Sequence, residues 1–222
     1  MPILSILTLL VVLGLLFLFN TYAKNRLPSR SKRPAVVAEL RADLGTWMDD
    51  LIPLDKKELD LFSLGQSKQI RKNGISPAAK GIFTTIFEEP VVAYSYRQFL
   101  GGTENELLLV RTNEHEYVYW SEKGEVELQI DEQLVGKLKN NVLYGQRTGQ
   151  ELARIAAEPR QNYLPVKVGA REVGALTVAK APKKDALAQR AFEFIPEDLS
   201  EQEEQLFLAL TTLILVRQSL TA

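Results

Sequence analysis

The sequence predicts a mainly β protein of the α+β type: an antiparallel β-barrel around a buried hydrophobic C-terminal helix, preceded by one transmembrane helix and an amphipathic helix. Three observations predict it. No charged residue occurs between Met1 and Ala23, and Ile3–Phe19 is almost entirely Leu, Val, Ile and Phe. From about Leu59 to Ile195 the apolar residues recur with a period near 2, the signature of strands. The chain then ends on an apolar run, Leu206–Val216, that has no polar face.

At about 1.5 Å per residue, roughly 20 helical residues cross a hydrocarbon core of about 30 Å, so residues 1–23 are read as a transmembrane anchor. A cleaved signal peptide fits less well, because no Lys or Arg precedes the run and "NTYAKN" is a weak cleavage site. The positive charges follow it instead: Lys24, Arg26, Arg30, Lys32 and Arg33, with no acid before Glu39. That asymmetry predicts a single-pass protein whose C-terminal domain is cytoplasmic. Residues 24–34 read as a basic juxtamembrane linker held near anionic headgroups, or more sharply as an acidic-lipid site.

Residues 35–53 read as an amphipathic helix. Val36, Leu40, Leu44, Trp47 and Leu51 fall at spacings of 4, 4, 3 and 4, one helical stripe ended by Pro53. Glu39, Asp43, Asp49 and Asp50 against Arg41 make a polar face that is too acidic for a helix lying on a membrane. The stripe is expected to pack on the folded domain or on a partner protein's helix.

Residues 54–222 form the expected barrel domain. "EVELQI" alternates cleanly, with Val126, Leu128 and Ile130 on one face. Pro90 divides "GIFTTIFEEPVVAYSYRQF" into two strands. "ELLLVRTNEHEYVYW" reads as one long strand bent near Asn113, and "EKGE" as a hairpin turn. "NYLPVKV" and "RAFEF" place Leu164, Val166 and Val168, and Phe192 with Phe194, on common faces. A faint repeat, "QLVGKL", "QELARI" and "REVGAL", sets a Gly or Ala inside each strand, where a barrel needs bends or close backbone approach.

The C-terminal helix is placed at 200–219. Ser200 and Glu203 make an S-x-x-E capping box, and Glu201, Glu203 and Glu204 suit the positive end of the helix dipole. Eleven apolar residues give about 16 Å of helix, half of a membrane span. A helix apolar on all sides must be surrounded by protein, and a barrel does that.

With "QLVGKL" and "REVGAL" around such a helix, residues 59–222 resemble the tubby-like superfamily, which includes phospholipid scramblases and LURP-one-related proteins. The resemblance implies a barrel of about a dozen strands on the C-terminal helix. No lipid-binding or calcium-binding motif of those families maps onto this chain residue by residue.

Composition narrows the chemistry further. The chain has 222 residues, a net charge of −1, no cysteine and one histidine, His115. Nucleic acid is not an expected partner, and cysteine nucleophiles, His triads and multi-histidine metal cages are excluded. On a strand, His115 would share a face with Tyr117 and Tyr119, with Glu114 and Glu116 opposite, and no second His or Cys exists to complete a metal site. Glu88–Glu89 and Asp49–Asp50 read as solvated acids, "LGG" at 100–102 as a turn, and "APKKDALAQR" at 181–190 as an exposed loop. The resulting expectation is a non-catalytic, membrane-anchored binding or scaffolding domain without cofactor. It would meet membrane lipid, or alternatively a protein partner through the 35–52 helix as subunit or assembly factor of a membrane complex.

Overall fold

A computed structural model describes residues 2–102, 104–178 and 189–221, with side chains from residue 6 onward. The 181–190 loop falls largely outside the described residues.

Two helices open the chain, α1 (Pro2–Asn25) and α2 (Arg33–Leu44). Twelve strands follow: β1 (Phe62–Lys72), β2 (Ala78–Thr85), β3 (Pro90–Gln98), β4 (Glu106–Arg111), β5 (Glu116–Glu122), β6 (Glu125–Ile130), β7 (Gln133–Lys139), β8 (Val142–Gly145), β9 (Glu151–Ile155), β10 (Tyr163–Val168), β11 (Arg171–Thr177) and β12 (Phe192–Glu193). They pair antiparallel in sequence order as one sheet. β12 returns to β1 through the Ser63–Arg190 bridge, with Ala191 N–H donating to Phe62 O at 2.7 Å, so the barrel is nearly closed. The last helix, α3 (Glu201–Thr221), fills it.

Short turns make this up-and-down order possible. Lys123–Gly124, Asp131–Glu132 and Asn140–Asn141 each link two strands with φ positive at both residues, the geometry of two-residue hairpins. Three consecutive hairpins of this kind leave little chain free to pair otherwise.

The capping box forms as expected. Glu203 N–H donates to Ser200 Oγ at 3.3 Å and Ser200 N–H to Glu203 Oε2 at 2.9 Å. Within α3, Leu206–Leu213 and then Leu215–Val216 are buried, and the hydroxyls of Thr211 and Thr212 donate back to Phe207 O (2.8 Å) and Leu208 O (2.6 Å). Each threonine thus enters the core with its polar atom satisfied inside its own helix.

A second apolar core lies outside the barrel. Leu40, Leu44 and Leu51 are buried against Ile82, Ala93, Phe99, Leu107, Leu109, Val118 and Trp120, with Val36 and Trp47 packed on the rim. Strands β2–β5 therefore bury both faces, which is why "ELLLV" and "YVYW" lack the alternation of "EVELQI".

Three expectations need correction. The helix read at 35–53 ends at Leu44; Gly45 takes φ +47°, a 3₁₀ turn (Gly45–Met48) follows, and the stripe still faces the barrel. The stripe Val36, Leu40, Leu44, Trp47 and Leu51 packs on the chain's own strands, the first of the two placements expected for it. The single strand read across Asn113 is a hairpin, since Thr112 Oγ1 accepts from His115 N–H at 2.9 Å and turns the chain. Phe194 does not share the face of Phe192: it adopts φ +57° and is 69% exposed, while Phe192 is fully buried.

Candidate functional site at the foot of the apolar helix

All described residues of α1 from Ile6 to Asn20 are exposed, and Ile6–Asn25 is long and apolar enough to cross a membrane. Its C-terminal end is fixed to the barrel. Arg26 N–H donates to Tyr22 O at 3.0 Å, Leu100 N–H to Asn25 O at 2.7 Å, and Arg26 bridges Leu100. The turn after β3 thereby holds the helix. The same barrel end carries the β1–β2 tip, where Gln98 N–H donates to Pro77 O at 2.8 Å, and the β5–β6 and β7–β8 hairpins. The juxtamembrane segment 24–34 is consequently docked on the barrel, with Leu27 packed on the outer core.

The five basic residues divide into two groups here. Arg33 turns onto the barrel, 3.3 Å from both Glu122 and Glu127 and over the Trp120 ring at 4.9 Å. Its charge is balanced by those two carboxylates. Lys24, Arg26, Arg30 and Lys32 are exposed, and none forms an ion pair among the described residues. Two cavities flank the segment. One of about 840 Å3 is lined by Phe19, Tyr22, Lys24, Arg26 and Lys32, among others. The other, about 510 Å3, includes Arg26, Arg30, Leu100 and Asn105. Glu39, the acid bordering the larger cavity, is held by Arg97 at 3.1 Å.

Two buried carboxylates form separate clusters. Glu106 accepts from Ser121 Oγ at 3.0 Å and from Arg217 at 2.5 Å, locking the end of α3 to β4 and β5. Burial first, then the Glu106 charge, raises the neighbouring Tyr96 phenol well above its ordinary value. Glu116, 3% exposed, accepts from Arg41 at 2.6 Å and from Arg111 at 3.1 Å, pinning α2 to the barrel. Burial pushes its carboxyl up, but the bonds and charges of Arg41 and Arg111 outweigh that and hold it below the usual carboxylate value. Both acids are thus held in ion pairs with arginine.

The sequence offers no local cue to these clusters. Glu106 and Arg217 lie 111 positions apart, and Glu116 looks like any acid beside a turn. An acid opening an otherwise apolar strand, as Glu106 does before "LLLV", is the one signal that would have found it.

A depressed carboxyl stabilises the fold above its unfolded-state pKa, and that contribution is lost as the pH falls through the lower folded-state value. Glu116→Gln is therefore expected to lower stability near neutral pH by about 1.5–3 kcal/mol. The gap to the parent should close in acid, where the parent loses the same charge. Thermal unfolding of the full chain in detergent across a pH series checks this; a gap that widens on acidification would contradict it.

His115 is not on a strand but in the Thr112–His115 turn. Its Nδ1 lies 2.7 Å from Asp131 and its Nε2 3.2 Å from Gln205 of α3, so it ties barrel to helix. Tyr117 and Tyr119 both point inward, and the Tyr119 hydroxyl donates to Ala209 O at 2.8 Å. Among the described residues no group of three His, Cys, Asp or Glu side chains is placed to hold a metal ion. Compared with protein-family models, curated proteins and solved structures, the chain matches none. The fold and the basic, apolar-walled end are therefore what define its class: a β-barrel built around its C-terminal helix and carrying a helix of membrane-spanning length.

Proposed function

We propose that this chain is a non-catalytic binding module, tethered by α1 with its barrel on the cytoplasmic side of a membrane, which engages anionic lipid headgroups. The observation that carries the reading is the seating of the foot of α1 on the barrel through backbone contacts with Leu100. If α1 crosses a bilayer, the Asn25–Leu100 contact holds one barrel end at the headgroup layer. The four unpaired cations sit at that junction, where each contributes on the order of 1 kcal/mol of attraction to an anionic leaflet. Their position after the apolar run supports the cytoplasmic orientation. The twelve strands around α3 support the tubby-like resemblance at the level of architecture. The buried acids neutralised by arginine support binding over catalysis. The alternative, assembly through a protein partner, gains less support, because the 36–51 stripe packs on the chain's own strands.

The chain has no cysteine, so one introduced at Glu88, on the barrel end opposite the anchor, reports orientation without background. A membrane-impermeant maleimide should label Glu88→Cys in inside-out vesicles and not in right-side-out ones. The reverse pattern would overturn the orientation. Release of the chain by alkaline carbonate would overturn the anchoring.

A further inference from the structure

We propose that the 840 Å3 cavity at the foot of α1 is a binding site for one acidic phospholipid, with the headgroup phosphate held by Lys24, Arg26 and Lys32 and the first acyl segments against Phe19 and Tyr22. The proposal rests on the reading of α1 as membrane-embedded, and it goes beyond diffuse charge attraction.

Three features separate this groove from a solvated basic patch. The first is that its walls are amphipathic. Phe19 and Tyr22 are exposed and continue the apolar surface of α1 into the groove, and Val36 and Phe99 extend that apolar lining. A ligand that fits must therefore be anionic at one end and apolar at the other, as a phospholipid is. The volume lies within the roughly 300–1,000 Å3 usual for small-molecule sites.

The second is charge. Lys24, Arg26 and Lys32 border the groove without an ion pair among the described residues. Glu39, the acid on the rim, is already neutralised by Arg97, which also lies within reach of Lys24 O at 3.5 Å. The groove thus presents three cations beyond the internally balanced pair. A zwitterionic headgroup would bring its own positive charge among them, so a headgroup with net negative charge is the better match.

The third is preorganisation. The cations are not strung along a mobile tether. Arg26 is held by the Tyr22 and Leu100 backbone, and Lys32 N–H donates to Ser29 O at 2.9 Å in the short turn before α2. Fixing in advance the backbone that carries these side chains lowers part of the ordering cost on binding. Arg33, one position on, is directed away to Glu122 and Glu127, so neighbouring charges of identical type have different assignments.

The test uses the full chain in nanodiscs of phosphatidylcholine with a minority of phosphatidylglycerol, ejected intact for native mass spectrometry. The parent is expected to retain one phosphatidylglycerol. The variant K24Q/R26Q/K32Q should retain it at least about tenfold less, since each basic side chain contributes appreciably to anion attraction. A control, R160Q/K167Q, removes two exposed cations outside the groove and should match the parent. Equal retention by parent and triple variant overturns the site, and equal losses in triple variant and control reduce it to diffuse charge. Full displacement by excess inorganic phosphate would make it an anion site with no lipid specificity. Co-elution with nanodiscs is read separately. A chain that co-elutes but keeps no acidic lipid refutes this site and leaves the anchored module standing; a chain that fails to co-elute refutes both.

Discussion

Replacing Phe207 with Ala is expected to lower the unfolding free energy by about 3–5 kcal/mol, the range for truncating a fully buried aromatic ring. Phe207 is inaccessible to solvent in the middle of α3. Its ring meets Phe192 edge-on at 4.9 Å, Phe192 stacks on Phe62 at 4.7 Å, and the series continues through Phe83 to Tyr94. These rings belong to α3, β12, β1, β2 and β3, so the series crosses the seam where the barrel closes. Among the described residues that seam has one bridge and few backbone bonds, and side-chain packing must supply much of its cohesion. A cavity left there cannot collapse easily, because α3 is enclosed and cannot shift toward it without losing contacts elsewhere. Chemical denaturation of the full chain in detergent measures the loss. A change below about 1 kcal/mol would mean that α3 is not the plug of this barrel.

The elements legible in the sequence were those whose physics is local. The capping box at Ser200 and Glu203, the lack of any polar face on Leu206–Val216 and the alternation of "EVELQI" each state one local requirement, and each is met. The Thr112–His115 hairpin was hidden because α2 covers the outer face of β4 and β5. With both faces buried, "LLLV" and "YVYW" show no alternation from which a reversal could be read, and the polar run between them, residues 111–116, fits a bulge within one strand as well as a turn between two. Arg33 and Lys32 are likewise indistinguishable as sequence. Only the fold shows that one meets Glu122 and Glu127 while the other borders an open groove. The candidate site was therefore visible as a cluster of charges and invisible as a shape. The Gly and Ala repeat lay between these cases, since it announced tight places without saying what was tight against what.

The tightest of them is Gly136 on β7, and Gly136→Ala is expected to cost more than about 3 kcal/mol, at or beyond the upper end for overpacking a core. An added Cβ would stand 2.0 Å from Tyr144 O, 2.9 Å from Tyr144 C and 3.2 Å from Gly145 Cα. All three are backbone atoms of β8, so no rotamer change relieves the clash and the two strands must separate. Gly136 pairs with Gly145 beside the register shift at Leu128–Gln129, and parting them would disturb two ladders at once. Gly145→Ala is the matched control. Its Cβ would meet only the side chains of Thr148 and Leu152, at 3.0 and 3.4 Å, and these can yield. Its expected cost is about 1 kcal/mol. Equal losses at the two positions would mean that β7 and β8 approach no more closely than ordinary strands, and the glycine would then owe its place to something other than the curvature of the barrel.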